Sequence, residues 1–166
     1  MEAIGFLHGI RVDFIGGEAY KFSIEAATVA VLCYIGITDF RFFKIHNGSV
    51  LLLLAFYVLY AVGARSRYEI LSDVLLGCTL FAVLLWLYRK GTVGGGDVKL
   101  VPVVCLWIGV HCAILFSVFL LLFVVLHLAA AKAGCAPTEI INGRANIPYA
   151  PSLAAALIGV IVTGCL

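Results

Sequence analysis

Two carboxylates stand where an apolar chain is expected to keep none. Asp39 closes an apolar run that begins near Phe22, and Asp97 opens another, directly after Gly94-Gly95-Gly96 and ahead of Val98-Lys99. A carboxylate at the edge of a hydrophobic span is expensive to keep unless it has a task there. Brought close together in a poorly hydrated site, two such groups cannot both ionise and share one proton. One can then act as base on a water molecule while the other, protonated, polarises a carbonyl. That chemistry needs no metal, cofactor or nucleophilic side chain. The chain correspondingly offers no H-E-x-x-H zinc motif and no nucleophile elbow. Gly94, Gly95 and Gly96 suit such a site because residues without a Cβ can take φ > 0 and admit another chain closely, so a mobile glycine loop carrying Asp97 is expected.

The elements that must position these groups are membrane-spanning helices. Of 166 residues, 64% are hydrophobic and only 12% charged, with mean hydropathy +1.15. A soluble domain of this length cannot absorb so much apolar surface, so an all-α, polytopic membrane protein is expected. Net charge of +2 is too small to suggest nucleic-acid binding. The expected spans run from about Phe22 to Thr38, Gly48 to Val62, and Ile70 to Leu87. Tyr57 and Tyr60 close the second in the manner of an interfacial aromatic belt. Val98 to Ala131 is apolar for 34 residues. As one helix it would reach about 51 Å against a hydrocarbon core of about 30 Å, so two short spans turning near Gly109 to Cys112 are expected. A polar connection, Lys132 to Asn146, leads to a last span from Ile147 to Leu166. That makes six transmembrane helices in a single membrane-embedded domain, 1–166. Residues 1–21 form a lead-in, either disordered or an interfacial helix with Phe6, Leu7, Ile10 and Phe14 on one side.

Arg41, Lys44, Arg89, Lys90, Lys99, Lys132 and Arg144 fall on one side of this arrangement; Arg11, Lys21, Arg65 and Arg67 fall on the other. The positive-inside rule puts the first set in the cytosol, and Asp39 and Asp97 lie on that side at matching depth. Other polar residues have plainer readings. Asp97 alone could be a helix N-cap, and Asp39 alone could pair with Arg41 or Lys44. Asp73, at the opposite face, is expected to be a cap or loop charge, and Glu25 is likewise on the outer side. His8, His111 and His127 are scattered singly and are expected to be structural. Cys33, Cys78, Cys105, Cys112, Cys135 and Cys165 contain no C-x-x-C pair, so buried free thiols are expected rather than zinc ligands or a disulfide framework.

Three motifs in order resemble one family. Gly94-x-Gly96-Asp97-Val98-Lys99 is similar to the GxGD-x-K signature of type IV prepilin peptidases. Asp39-x-Arg41 followed by Ile45-His46-Asn47 resembles that family's first aspartate segment. Ile147-Pro148-Tyr149-Ala150-Pro151 resembles the proline-containing start of its last helix. The resemblance implies an intramembrane aspartic endopeptidase in the bacterial inner membrane. It would cut the short basic leader from prepilins or pseudopilins at the cytoplasmic face, with Asp39 and Asp97 catalytic. Gly94, Gly95, Gly96, Lys99, Arg41, Asn47, Pro148 and Pro151 would serve substrate approach. No cofactor or metal is implied; the partners would be prepilin substrates, the lipid bilayer and a pilus or secretion assembly machinery. Larger members carry an extra segment with paired cysteines and methylate the new N-terminus. Nothing of that kind occurs here, which implies the short, peptidase-only form associated with tight-adherence (Flp-type) pili. His46 stands where the family usually has proline. Two other classes fit intramembrane carboxylates: a small proton- or ion-coupled transporter subunit, which would stagger them through the membrane, and a non-catalytic assembly subunit.

Overall fold

The structure, a computed structural model, describes residues 17–134, 139–141, 144–146 and 148–166, the two short middle segments by their backbone. The interfacial helix considered for the lead-in falls outside the described residues. Six helices are present among them: α1 (Glu18–Phe42), α2 (Asn47–Ala64), α3 (Arg67–Arg89), α4 (Gly95–Ile108), α5 (Ala113–Lys132) and α6 (Ala150–Val162). The helical class is as expected. One addition is a two-stranded antiparallel ribbon, β1 (Glu139–Ile141) with β2 (Arg144–Asn146), in what had read only as a polar connection.

Local chemistry sets the helix boundaries. The 98–131 run does divide where expected. Gly109 ends α4 with φ +60, a conformation open to glycine and strained for other residues. α3 begins with a capping box: the Ser66 hydroxyl accepts the Glu69 N–H (3.3 Å) while the Ser66 N–H donates to the Glu69 carboxylate (2.7 Å). α6 begins with a proline in its first turn, where the missing N–H is no loss.

Four helices, α1, α2, α3 and α5, are long and apolar enough to cross a membrane. α4 and α6, with 14 and 13 residues, would reach only about 20 Å. These two short helices are instead the centre of the bundle. α4 buries Leu100, Val104 and Trp107, and α6 buries Ala150, Ala156, Leu157 and Val160, all fully. Packed in protein, they need not match the hydrocarbon thickness. The long helices surround them and present leucine, valine and isoleucine outward, as at Ile114, Val118 and Leu121 of α5. Such a surface suits lipid and not water. Glycines let the helices approach closely: a Cβ at Gly77 of α3 would come within 2.9 Å of Leu106, and one at Gly159 of α6 within 3.0 Å of Phe119.

Three expectations fail at the end of the bundle remote from Asp39 and Asp97. Tyr57 and Tyr60 do not form an interfacial belt; both are buried, packing on Trp107 with ring centroids 6.0 and 5.3 Å away. Asp73 is not a surface charge. It is 1% exposed, pairs with Arg65 at 2.6 Å and accepts the Tyr57 hydroxyl at 3.2 Å. Arg65 also donates to the Trp107 carbonyl at 2.8 Å, so the cluster joins α2, α3 and α4 through a satisfied ion pair. Third, Cys112 and Cys165 form a disulfide between the α4–α5 turn and the segment after α6. Their separation of 53 residues hid the pairing from a reading based on local spacing. Cys33, Cys78 and Cys105 are free, but Cys33 and Cys78 lie exposed on the helix surfaces and not buried as expected; Cys135 lies outside the described residues.

Candidate active site

At the other end of the bundle, a cavity of about 480 Å³ is lined by Asp39, the 43–47 turn, Gly94 to Asp97, Lys99, Pro148 and Tyr149. Three elements converge here: the C-terminal end of α1 with the turn into α2, the N-terminal turn of α4, and the chain entering α6. Two aspartates separated by 58 positions (97 minus 39) thus face one space.

Asp39 lies in the last turn of α1 and is 7% exposed. Its recorded partner is not Arg41 or Lys44. Oδ2 accepts the backbone N–H of Ala150, the first residue of α6, at 3.1 Å. The carboxylate therefore sits at a helix N-terminus, where orphan N–H groups and the helix dipole favour negative charge. Pro151 has no N–H, so it adds no second donor beside that of Ala150. Behind this contact stands His127 of α5, whose Nδ1 lies 3.0 Å from the Ser152 hydroxyl and whose ring faces Phe40.

Asp97 stands in the first turn of α4, one residue before its apolar run. The N-cap of α4 is Gly94, without a side-chain cap, so Asp97 does not serve as the cap. Burial, and secondly the charge of Asp39, push its carboxyl up to about 6.

The glycines behave differently from the expected mobile loop. Gly95 and Gly96 are helical, and Gly94 has φ −70; none of the three has φ > 0. What matters is proximity to the chain's own 43–47 turn. A Cβ on Gly96 would come within 2.9 Å of Ile45 Cδ1 and 3.3 Å of its Cγ1, whereas one on Gly95 would make ordinary contact with Tyr88 at 3.4 Å. Gly96 thus lets the Asp97 turn close against the Asp39 turn. Lys99 donates to Asn47 Oδ1 at 3.0 Å, tying the first turns of α4 and α2 together at the rim.

Of the residues singled out from sequence, the cavity gathers Asp39, Asp97, Gly94, Gly95, Gly96, Lys99, Asn47 and Pro148. Arg41 and Pro151 lie outside it, lining a groove between α1 and α6. His46 lines the cavity and precedes α2 with φ −75 and ψ 131, a backbone that proline also adopts. Sequence reasoning passed over the Ala150 N–H, Tyr149 and Phe43. Phe43 follows α1 with φ 51 and ψ 34, rare for a bulky residue, and its N–H bonds the Asp39 carbonyl at 2.9 Å. Strain of this kind concentrates at functional sites, but leaves no mark in sequence. Among the described residues, no three His, Cys, Asp or Glu side chains cluster as a metal site would require.

A helical integral membrane protein with two carboxylates lining one cavity at one end of its bundle is the class that fold and site define. The model of the type IV leader peptidase family matches residues 26–131, more than half of the chain and inclusive of both aspartates. The chain belongs to the type IV leader peptidase family. No curated protein and no solved structure matches it.

Proposed function

We propose that this protein is an aspartic endopeptidase that removes the basic leader from prepilins or pseudopilins at the cytoplasmic face of the inner membrane. The observation that carries this reading is the cavity shared by Asp39 and Asp97 in a member of a leader peptidase family. Two carboxylates level with one another at one pole suit hydrolysis better than a relay through the membrane.

The environments of the pair suggest their roles. Asp39, held by the Ala150 N–H at the start of α6, is the ionised base. Asp97, desolvated and facing Asp39 in the same cavity, is the partner that takes up the shared proton when substrate excludes water. Asp39 takes a proton from water as the water oxygen bonds to the scissile carbonyl carbon, and Asp97 donates a hydrogen bond to the carbonyl oxygen. The tetrahedral intermediate collapses as the proton passes from Asp39 to the amide nitrogen. The C–N bond then breaks, releasing a leader carboxylate and a new N-terminal amine. No methyl transfer belongs to this reading, which is that of the short, peptidase-only form.

Orientation has independent support. The Cys112–Cys165 disulfide lies at the pole opposite the cavity, and disulfides persist where the environment is oxidising. That pole suits the extracytoplasmic side, which leaves the cavity in the cytosol, as the Lys and Arg distribution also favours. All six helices would then be embedded in the membrane, α4 and α6 within the shell of the longer four.

The test is cleavage of a purified prepilin by the protein reconstituted in liposomes. Asp39→Asn and Asp97→Asn are each expected to insert and fold normally and to lose cleavage by roughly a thousandfold or more. Processing at the wild-type rate by either variant would overturn the assignment.

A further inference from the structure

α5 is apolar along almost its whole length and turns leucine and valine outward, as at Leu121, Leu122 and Val125. Its polar side chains before Lys132 are Ser117 and His127. Ser117 bonds its own helix, at the Ala113 carbonyl (2.7 Å). His127, expected from sequence to be structural, reaches a different helix. Its Nδ1 lies 3.0 Å from Oγ of Ser152, a residue 4% exposed in the first turn of α6.

Packing alone does not call for an imidazole there. Phe119, Phe123 and His127 are spaced four apart and so lie on one face of α5. Phe119 meets α6 at Gly159, Phe123 and Ala155 line one pocket, and His127 meets Ser152. A third phenylalanine would continue that row. Nε2 of His127 is moreover buried, without a hydrogen-bond partner among the described residues. A buried ring nitrogen left so is unfavourable, and the bond that offsets it is the one to Ser152.

The place of that bond gives it meaning. Ser152 stands two residues after Ala150, whose N–H donates to Asp39 at 3.1 Å. The ring of His127 also faces Phe40, the residue after Asp39, with centroids 6.2 Å apart. His127 therefore touches near neighbours of both groups that meet at the α1–α6 contact. The two recorded side-chain bonds to the start of α6 come from Asp39 on one side and His127 on the other. His127 does not line the Asp39–Asp97 cavity, so it has no access to substrate there.

We propose that His127 is a positioning residue for Asp39. Through Ser152 it fixes the first turn of α6, and with it the direction of the Ala150 N–H that holds the Asp39 carboxylate. This rests on the peptidase reading above and deepens it.

Hydrogen exchange at the Ala150 amide, followed by NMR on the full chain in detergent micelles, tests this whether or not the protein cuts anything. His127→Phe keeps a ring against Phe40 and deletes the bond to Ser152; it is expected to speed that exchange by about tenfold. His127→Asn, whose side-chain amide reaches the Nδ1 position, is expected to bring it back within about threefold of the wild type. Wild-type exchange in His127→Phe, or no recovery in His127→Asn, overturns the proposal. Where His127→Phe fails to fold, Ser152→Ala removes the same bond, and wild-type exchange in that variant overturns it equally. Phe119→Leu loosens the same helix pair further along. It is expected to lower the thermal midpoint and leave exchange at Ala150 unchanged; acceleration equal to that of His127→Phe would reduce the role to general packing. In the liposome assay His127→Phe is expected to lower kcat by about tenfold with KM within about twofold. A changed KM at wild-type kcat overturns the proposal. Failure of the peptidase reading itself is distinct: the wild-type protein then cuts no prepilin, while the exchange rates still report on the positioning of the Ala150 N–H.

Discussion

The two poles of this bundle treat an aspartate in opposite ways. Asp73 is buried with every demand met: Arg65 neutralises it, Tyr57 donates to it, and Gly109 leaves just enough space for the pair. A Cβ at Gly109 would fall within 2.6 Å of both Arg65 Nη1 and Asp73 Oδ1. Asp39 and Asp97 have no basic partner in either recorded ion pair among the described residues. They face a cavity, and one backbone N–H is the recorded donor to them. A buried carboxylate that is neutralised holds helices together. One left facing an opening and a second carboxylate retains the capacity to move a proton. Burial alone does not separate the two roles, since Asp39 and Asp73 are both below a tenth exposed; the partners do.

Substitutions can break or sharpen this contrast. The largest effect on activity is expected at the open pole. Asp39→Asn should abolish cleavage with little loss of stability, because an asparagine oxygen still accepts the Ala150 N–H. The largest effect on stability is expected at the closed pole. Asp73→Asn strands the Arg65 charge and should cost about 3–5 kcal/mol, read as a fall in thermal midpoint in detergent. Equal losses of stability from the two substitutions would dissolve the distinction.

Next in size is a pH effect at Asp97. Its carboxyl lies higher in the folded protein, at about 6, than the 3.8 usual for aspartate, so the folded state binds more protons between those values. Stability therefore falls as pH rises from about 4 to 6, to a limit of about 3 kcal/mol. Asp97→Asn should remove that loss and show its gain in thermal midpoint at pH 8, not at pH 4. The same pH slope in variant and wild type would show that the Asp97 charge is well solvated.

Smaller again is the effect of the glycines. Gly96→Val should displace Ile45 and slow cleavage by about tenfold or more, while Gly95→Ala should stay within about twofold, each measured by prepilin processing. Smallest is His46→Pro. The backbone there already suits proline, so a change in stability within about 0.5 kcal/mol is expected.

Sequence made the helices and the two aspartates legible because each left a local mark. Apolar runs of the right length predicted helices, and the length of the 98–131 run forced its division. Asp39 and Asp97 stood out against their surroundings by charge alone. What stayed hidden depends on residues far apart in the chain. The Arg65–Asp73 pair, Cys112–Cys165 and Tyr57 on Trp107 arise only once the bundle has formed. The glycines misled for a related reason. A triplet suggests backbone freedom, but at Gly96 the requirement is space for Ile45, a residue of another turn. Likewise, α4 and α6 read as ordinary spans by composition, although they are short helices enclosed by longer ones.

The Asp39–Ala150 hydrogen bond bears on how the protein is made. Its two residues are 111 positions apart. At typical synthesis rates the donor emerges roughly 5–20 s after the carboxylate it holds. Until α6 has inserted, Asp39 lacks its donor and the cavity lacks the wall made by Pro148 and Tyr149. A nascent chain in which α6 has not yet inserted therefore carries both aspartates without the contact that holds Asp39. On the proposed reading, the two aspartates reach their working arrangement only once α6 has packed against α1.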